Sequence, residues 1–142
     1  MTAAAQDKLS VLCVDDNAQL AASLRIRLSA DSSLAWAGWL SDAEGLCDTV
    51  ARESPTIVIL DLEMPGKDPL DALEECTARY PTTRVIVYSI HTDRERIDRA
   101  FGAGAWGYIS KNDGHEALLE GIRSVLGGEI AMSKDVREAS GA

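Results

Sequence analysis

Five polar side chains that directly follow short apolar runs could together handle phosphate: Asp15, Asp16, Asp61, Ser89 and Lys111. Three carboxylates in one place would repel one another, and Mg²⁺ removes that cost by binding carboxylates together with waters and phosphate oxygens. A serine hydroxyl and a lysine ammonium supply a donor and a point charge that suit phosphate oxygens. This combination indicates phosphoryl transfer, in which catalysis is mainly positioning and charge neutralisation.

Acyl-transfer chemistry is not indicated, because the set lacks a His or Cys nucleophile with a base. Each residue taken singly also has an ordinary structural explanation. Asp16 and Asn17 could cap a helix, residues 64–66 (Met-Pro-Gly) could form a simple turn, Ser89 could be a cap, and Lys111 could be a surface lysine. Their joint occurrence at successive strand ends favours one shared site.

The elements that would position these residues alternate along the chain. Apolar residues at helical spacing separate five short apolar runs, which are predicted strands. These runs are residues 9–14, 34–40, 56–60, 85–88 and 108–109. Because parallel neighbours need crossover helices, the alternation predicts an α/β fold with a doubly wound, five-stranded parallel sheet. Ligands bind such sheets outside the carboxyl ends of the strands, where the five polar residues lie.

Length and composition fit one globular domain without affinity for nucleic acid. The 142 residues are 46% hydrophobic and carry a formal charge of −9. Arg94, Arg96 and Arg99 are interleaved with acids, so this acidic chain should repel DNA. Residues 1–8 have no signal-peptide core, and no apolar run is long enough to span a membrane. We expect a cytoplasmic protein with no membrane contact.

The three cysteines, Cys13, Cys47 and Cys76, are far apart in sequence and lie inside apolar patterns. No pair has the spacing of a metal site or a redox motif. We therefore expect buried free thiols in a reducing compartment.

Four segments carry motifs that are specific as a set. They are residues 14–17 (Val-Asp-Asp-Asn), 61–66 (Asp-Leu-Glu-Met-Pro-Gly), 85–89 (Val-Ile-Val-Tyr-Ser) and 104–111 (Gly-Ala-Trp-Gly-Tyr-Ile-Ser-Lys). The set resembles the response-regulator receiver domain (CheY-like) over about residues 9–128. The resemblance implies the flavodoxin-like (βα)5 receiver fold. Residues 1–8 are then expected to be a disordered tail, and residues 129–142 a linker.

The resemblance also implies roles for the acidic residues. Asp61 would be the phosphoacceptor, taking a phosphoryl group from a phosphohistidine of a sensor histidine kinase. Asp15 and Asp16 would bind Mg²⁺ together with Asp61, and Glu63 would contribute its backbone carbonyl.

Ser89 and Lys111 would contact the phosphoryl group and complete the catalytic set around Asp61. Movement of Ser89 would let Tyr108 change rotamer and alter the face formed by the fourth helix, fifth strand and fifth helix. Such a site would hydrolyse its own acyl phosphate slowly, so we expect a signalling domain and not an enzyme in the usual sense.

The chain departs from the family pattern at three positions. Pro69 stands where the family usually has Gly, and we expect a shifted helix start with an intact fold. Ile90 replaces a commonly small residue after Ser89 and is expected to narrow access to Asp61. Trp106 occupies a position that is usually small or polar, so it is either a packed loop aromatic or a contact anchor on the signalling face.

Residues 127–136 resemble the linker that leads, in the NarL/FixJ subfamily with LuxR-type output, into a helix-turn-helix domain. Two origins fit: a receiver excised from a transcription factor, which reaches DNA only through a missing C-terminal domain, or a stand-alone receiver acting by protein contact. A homodimer formed on phosphorylation fits the first. The output would then be control of transcription.

Two other classes remain open. Phosphatases with an aspartyl nucleophile also use Asp, Mg²⁺, Ser or Thr, and Lys, but commonly place a second Asp where this chain has Glu63. An interaction module that is never phosphorylated is the third reading, and the complete acidic site argues against it.

Overall fold

The computed structural model describes residues 8–141 and contains one parallel sheet with the strand order β2-β1-β3-β4-β5-β6. The strands are β1 (Leu9–Val14), β2 (Leu34–Leu40), β3 (Ile57–Leu60), β4 (Arg84–Ser89), β5 (Gly107–Ser110) and β6 (Ala131–Met132). The prediction of a doubly wound parallel α/β sheet is confirmed, with one strand more than expected. Of the tail predicted at residues 1–8, only Lys8 is described, and it is exposed; the others lie outside the described residues.

Helices connect the strands and cover both faces of the sheet. They are α1 (Ala18–Ser29), α2 (Leu46–Glu53), α3 (Pro69–Arg79), α4 (Arg94–Gly102), α5 (Gly114–Leu126) and α6 (Lys134–Ala139). A single 3-10 turn (Lys111–Asp113) separates β5 from α5. Among residues 8–141, no helix has the length and apolar character that crossing a membrane requires.

The strands read as continuous apolar runs because both faces of the sheet are buried. Successive side chains point to opposite faces. Val11 and Cys13 of β1 pack with α1 and α5, whereas Leu12 and Val14 pack with α2, α3 and α4. Each fully buried side chain of this size contributes roughly 1.5–3 kcal/mol. Two cores therefore hold the central strands, and with them the residues that follow each strand.

The chain after α5 folds back onto the sheet. β6 runs parallel to β5 with Tyr108 opposite Met132, and the Ser133 N–H donates to the Tyr108 carbonyl at 3.3 Å. Val136 of α6 is fully buried in the core that also contains Tyr108. Residues that sequence analysis assigned to a linker thus add a strand and a helix to the predicted fold.

The sequence pattern missed β6 because a two-residue strand is too short to display an alternation. It forms because the edge of β5 offers free partners: the Ala131 N–H donates to the Trp106 carbonyl at 3.0 Å. Gly128, at φ +87°, provides the left-handed residue that turns the chain back after α5.

Two predicted helix starts have clear capping residues. The side chain of Asn17 accepts hydrogen bonds from the N–H groups of Gln19 and Leu20, both at 3.1 Å. Asp68 caps α3, and Pro69 is the first residue of that helix. Proline at this position needs no N–H partner, and the fold is intact as expected, whereas a shift of the helix start relative to the family stays a prediction.

Replacing Gly104 should destabilise the fold. Gly104 has φ +108°, and an added Cβ would lie 2.7 Å from Thr77 Oγ1, which donates to the Ala103 carbonyl. We expect Gly104→Ala to lower the free energy of unfolding by about 1–3 kcal/mol in urea denaturation. Gly102→Ala is the matched control, because a Cβ there meets nothing within 4 Å. Equal losses in both variants would contradict this account.

Candidate functional site

The central strands bring the predicted acids together at one edge of the sheet. Asp15 follows β1 and Asp61 follows β3, and these two strands are neighbours. Both residues continue the strand ladders: the Asp15 N–H donates to the Leu40 carbonyl at 3.0 Å, and the Asp61 N–H to the Val14 carbonyl at 2.9 Å. The backbones that carry both carboxylates are therefore held by the sheet itself.

Asp15, Asp16 and Asp61 form a cluster that could hold a metal ion. One oxygen from each carboxylate lies within 4.8 Å of the others. Asp15 is 2% and Asp61 is 3% exposed, whereas Asp16 is open to solvent. Burial and the neighbouring charge of Asp15 raise the pKa of Asp61 to about 6. This unfavourable accumulation of charge is what a divalent cation relieves, so the donor set fits a hard ion.

Lys111 reaches both buried carboxylates from the end of β5. Its Nζ lies 2.8 Å from Asp15 Oδ2 and 3.4 Å from Asp61 Oδ1. Burial alone would lower the pKa of Lys111, but the hydrogen bond to Asp15 and the charges of Asp61 and Asp15 raise it above the usual value. The ammonium therefore stays charged and offsets part of the negative charge of the cluster.

Ser89 and Tyr108 are both fully buried and are connected through the backbone of His91. The His91 N–H donates to Ser89 Oγ at 3.0 Å, and the Tyr108 hydroxyl donates to the His91 carbonyl. Burial raises the pKa of Tyr108 to about 12, so its hydroxyl keeps the proton that it donates. The pair predicted as a switch is thus linked by one residue that lies between them.

Glu63 lies beside Asp61, where the sequence placed it, and its backbone N–H helps lower the pKa of the Asp61 carboxyl against the effect of burial. Its own carboxylate reaches out to His91, with 2.9 Å between Oε2 and Nε2. Sequence analysis did not anticipate this contact, because the two residues belong to separate loops and share no motif. The contact joins the loop after β3 to the loop after β4.

Trp39 is a further residue that sequence analysis did not connect to the site. Its indole Nε1 donates to the Asp15 carbonyl at 2.6 Å. Trp39 is opposite Cys13 in the pairing of β2 with β1, so its side chain can reach the end of the neighbouring strand. The sequence feature that could have indicated this contact is a tryptophan close to the end of the second predicted strand. Trp39 helps to fix the backbone of Asp15.

The acidic cluster opens into a shallow cavity of about 230 Å³. It is lined by Asp15, Asp16, Asn17, Asp61, Glu63, Ile90 and Lys111. Ile90 is 53% exposed and forms part of this rim. The side chain expected to narrow access to Asp61 therefore does border the entrance.

Trp106 is not brought to this site. It precedes β5, at the opposite end of that strand from Lys111, and packs partly buried against the core under α1 and α5. The Arg84 guanidinium lies 4.2 Å from its ring centroid and donates to the Val125 carbonyl at 2.7 Å. This environment fits the first of the two interpretations of Trp106, a packed loop aromatic. Its alternative role as a contact anchor on the signalling face stays a prediction.

Comparisons with known proteins agree with the geometry. Residues 11–123 match the family model described as response regulator receiver domain. A nitrate/nitrite response regulator protein homolog from Haemophilus influenzae is 28% identical over 132 residues, covering 93% of this chain and 64% of the relative. The nitrate/nitrite response regulator protein NarL from Escherichia coli K12 is 26% identical, covering 91% and 60%. The chain thus spans less than two thirds of the length of these relatives.

Solved structures show the same architecture. A two-component response regulator of the LuxR family from Aurantimonas sp. SI85-9A1 superposes with a TM-score of 0.89 at 25% identity, covering 94% of this chain and 96% of that one. The isolated REC domain of RcsB from Salmonella enterica serovar Typhimurium has a TM-score of 0.86 at 17% identity, covering 93% and 98%, and shares the fold. Because the family model matches residues 11–123, which is most of the chain, the chain belongs to the response regulator receiver family, as a receiver domain of two-component regulators of the NarL/LuxR type.

Proposed function

We propose that Asp61 accepts a phosphoryl group from a phosphohistidine of a sensor histidine kinase. The observation that carries the proposal is the position of the Asp61 carboxylate, with an ammonium 3.4 Å away and two further carboxylates beside it at a solvent-open cavity. A carboxylate, a fixed cation and an acidic metal cluster are the parts that phosphoryl transfer requires.

The donor set supports Mg²⁺ as the ion of this site. Asp15, Asp16 and Asp61 would hold it with their carboxylates, and Glu63 with its backbone carbonyl. Only oxygen donors are offered, which suits a hard cation that also keeps waters and takes phosphate oxygens. When bound, Mg²⁺ would supply positive charge to the oxygens of the transferring group.

The residues of the chain have separate tasks in the transfer. An Asp61 oxygen attacks phosphorus in line with the histidine nitrogen; the phosphorus–oxygen bond forms as the phosphorus–nitrogen bond breaks. Lys111, already poised between two carboxylates, then neutralises charge on the phosphoryl oxygens. Ser89 Oγ accepts from the His91 N–H, so its own proton is available to donate to a phosphoryl oxygen.

The same contacts suggest how the acyl phosphate alters the surface. Movement of Ser89 toward the phosphoryl group shifts His91, whose carbonyl holds the Tyr108 hydroxyl. Tyr108 is paired with Met132 of β6, so a change in Tyr108 reaches the tail as well as the face made by α4, β5 and α5. This is a local charge event that biases a two-state element.

We further propose that the output is control of transcription through a DNA-binding segment outside these residues, with a homodimer forming on phosphorylation. The relatives support this, since one is named transcriptional regulatory protein DegU, from Brevibacillus brevis, of which the chain covers 52%. The formal charge of −9 supports a receiver that leaves DNA contact to another part of the protein.

Intact-mass measurement tests the phosphoacceptor. With acetyl phosphate and Mg²⁺, the wild type should gain one phosphoryl group of about 80 Da, because Asp61 is the nucleophile. Asp61→Asn should gain none, whereas Asp98→Asn, which changes a solvent-exposed acid of α4, should behave as the wild type. An adduct that persists in Asp61→Asn would overturn the assignment.

Thermal unfolding with and without Mg²⁺ tests the ion site. At a hundredfold excess over its Kd, Mg²⁺ should stabilise the wild type by about 2.7 kcal/mol. Asp16→Asn removes one donor from a solvent-exposed position and should reduce this gain by about 1.4 kcal/mol or more, which corresponds to tenfold weaker binding. Asp98→Asn is the control for nonspecific effects on an acidic surface. Equal Mg²⁺ shifts in all three proteins would contradict the proposed ligand set.

Truncating Ile90 should speed labelling by small phosphodonors. Because Ile90 borders the cavity that exposes Asp61, Ile90→Ala is expected to raise the rate of acetyl-phosphate labelling about two- to tenfold, equivalent to about 0.4–1.4 kcal/mol of barrier. Ile26→Ala, which trims a 74% exposed isoleucine of α1, should leave the rate unchanged. Rapid labelling of the wild type that Ile90→Ala does not alter would refute the role of Ile90.

A further inference from the structure

Two of the three cysteines meet in the folded chain. The sulfurs of Cys47 and Cys76 are 3.9 Å apart, although 29 positions separate them in the sequence. The cysteines are free thiols, as expected, with Cys13 and Cys76 buried and Cys47 only partly so; the proximity of Cys47 and Cys76 was not predicted from their spacing. Cys13 packs in the core on the other face of the sheet and is buried beside α1 and α5. The fold therefore defines one dithiol and one separate thiol.

The dithiol joins two neighbouring helices and is open on one side. Cys47 lies in the first turn of α2 and is only partly buried, while Cys76 lies in α3 and is buried. Charged groups lie beside the Cys47 sulfur: Cys47 Sγ is 3.7 Å from Glu75 Oε2, and Lys67 Nζ is 2.6 Å from Glu75 Oε1. A small polar oxidant can thus reach the sulfur of Cys47, whereas the sulfur of Cys76 is shielded from solvent and can react only with an oxidised Cys47.

The two thiols differ in their burial. Burial, followed by the neighbouring Cys47, raises the pKa of Cys76 to about 12, so Cys76 remains a protonated thiol near neutral pH. Because access governs oxidation, Cys47 is the sulfur that meets the oxidant first.

We propose that Cys47 and Cys76 form an oxidisable dithiol site, which a hydroperoxide converts into an intramolecular disulfide between α2 and α3. Cys47 sulfur attacks one peroxide oxygen; the oxygen–oxygen bond breaks, a sulfenic acid forms on Cys47, and water leaves with the thiol proton. Cys76 sulfur then attacks Cys47 sulfur; the sulfur–oxygen bond breaks, and the hydroxyl leaves as water with the Cys76 proton. Two thiols lose two electrons and one hydrogen peroxide becomes two waters.

The bond would close a loop that contains the phosphoacceptor. Residues 47–76 include β3, Asp61 and the loop that leads into α3. The sulfurs need to approach by about 2 Å to reach bonding distance, and Cys47, in the first turn of α2, is the less buried of the two cysteines. The proposal does not rest on phosphorylation of Asp61, so either can fail without the other.

Thiol trapping on the full chain tests the site. After treatment with hydrogen peroxide, removal of the peroxide, unfolding in urea and alkylation by iodoacetamide, the wild type should carry one alkyl group and be about 2 Da lighter than the reduced chain with one such group. Peptide mapping should place the cross-link between Cys47 and Cys76 and the alkyl group on Cys13. Dithiothreitol should restore three alkylated thiols, since the product is a disulfide.

Single variants assign the two steps. Cys76→Ser should accumulate oxygen on Cys47, gaining about 16–32 Da, because no partner resolves the sulfenic acid. Cys47→Ser should neither cross-link nor gain oxygen on a cysteine, as located by peptide mapping, and Cys13→Ser, the matched control, should cross-link as the wild type does. The wild-type cross-link should also form at least about tenfold faster in the native protein than in concentrated urea.

Three outcomes would overturn the proposal. Each is measured on the wild-type protein, so the test does not depend on whether the variants fold. These outcomes are oxygen added to Cys47 without a cross-link, a cross-link that involves Cys13, and a rate in urea equal to the native rate.

Discussion

Two buried carboxylates at the ends of adjacent strands place the strongest constraint on this molecule. Asp15 and Asp61 are almost fully buried. Burial, together with repulsion from Asp15, raises the pKa of Asp61 to about 6. The ammonium of Lys111 lies within 3.4 Å of both and offsets part of that cost. Removing one partner from such a group leaves uncompensated buried charge, which is strongly destabilising. The site is therefore a charge balance that a cation or a phosphoryl group can shift.

The parallel sheet is what makes this balance attainable. β1 and β3 supply the acids, β5 supplies the lysine, and β4 lies between β3 and β5 with Ser89 at its end. All four strands run in the same direction, so their carboxyl ends meet at one edge. Ladder hydrogen bonds to Asp15 and Asp61 and the Trp39 indole on the Asp15 carbonyl fix the backbones there. These hydrogen bonds keep the two carboxylates close together in spite of their mutual repulsion.

Two sets of contacts connect the site to the rest of the molecule. One passes through His91, which contacts Ser89, Glu63 and Tyr108, and so connects the cavity to β5. β5 in turn pairs with β6, and α6 packs beside it, so the residues after α5 are paired directly with the strand that carries Tyr108. The other set concerns α2 and α3, whose thiols bracket the segment that contains Asp61. We propose that the first set of contacts responds to phosphorylation of Asp61 and that the second responds to oxidants.

The sequence by itself determined the fold class, the first five strands and the residues at their ends. Those features depend on local patterns: continuous apolar runs such as residues 57–60, and polar residues that end them, such as Asp61 and Ser89. Only the tertiary structure decided that Glu63 meets His91, that Cys47 meets Cys76 and that β6 closes the edge of β5. Such contacts depend on helix packing, loop conformation and strand register between segments that are distant in the sequence. The spacing of residues along the chain therefore does not predict them.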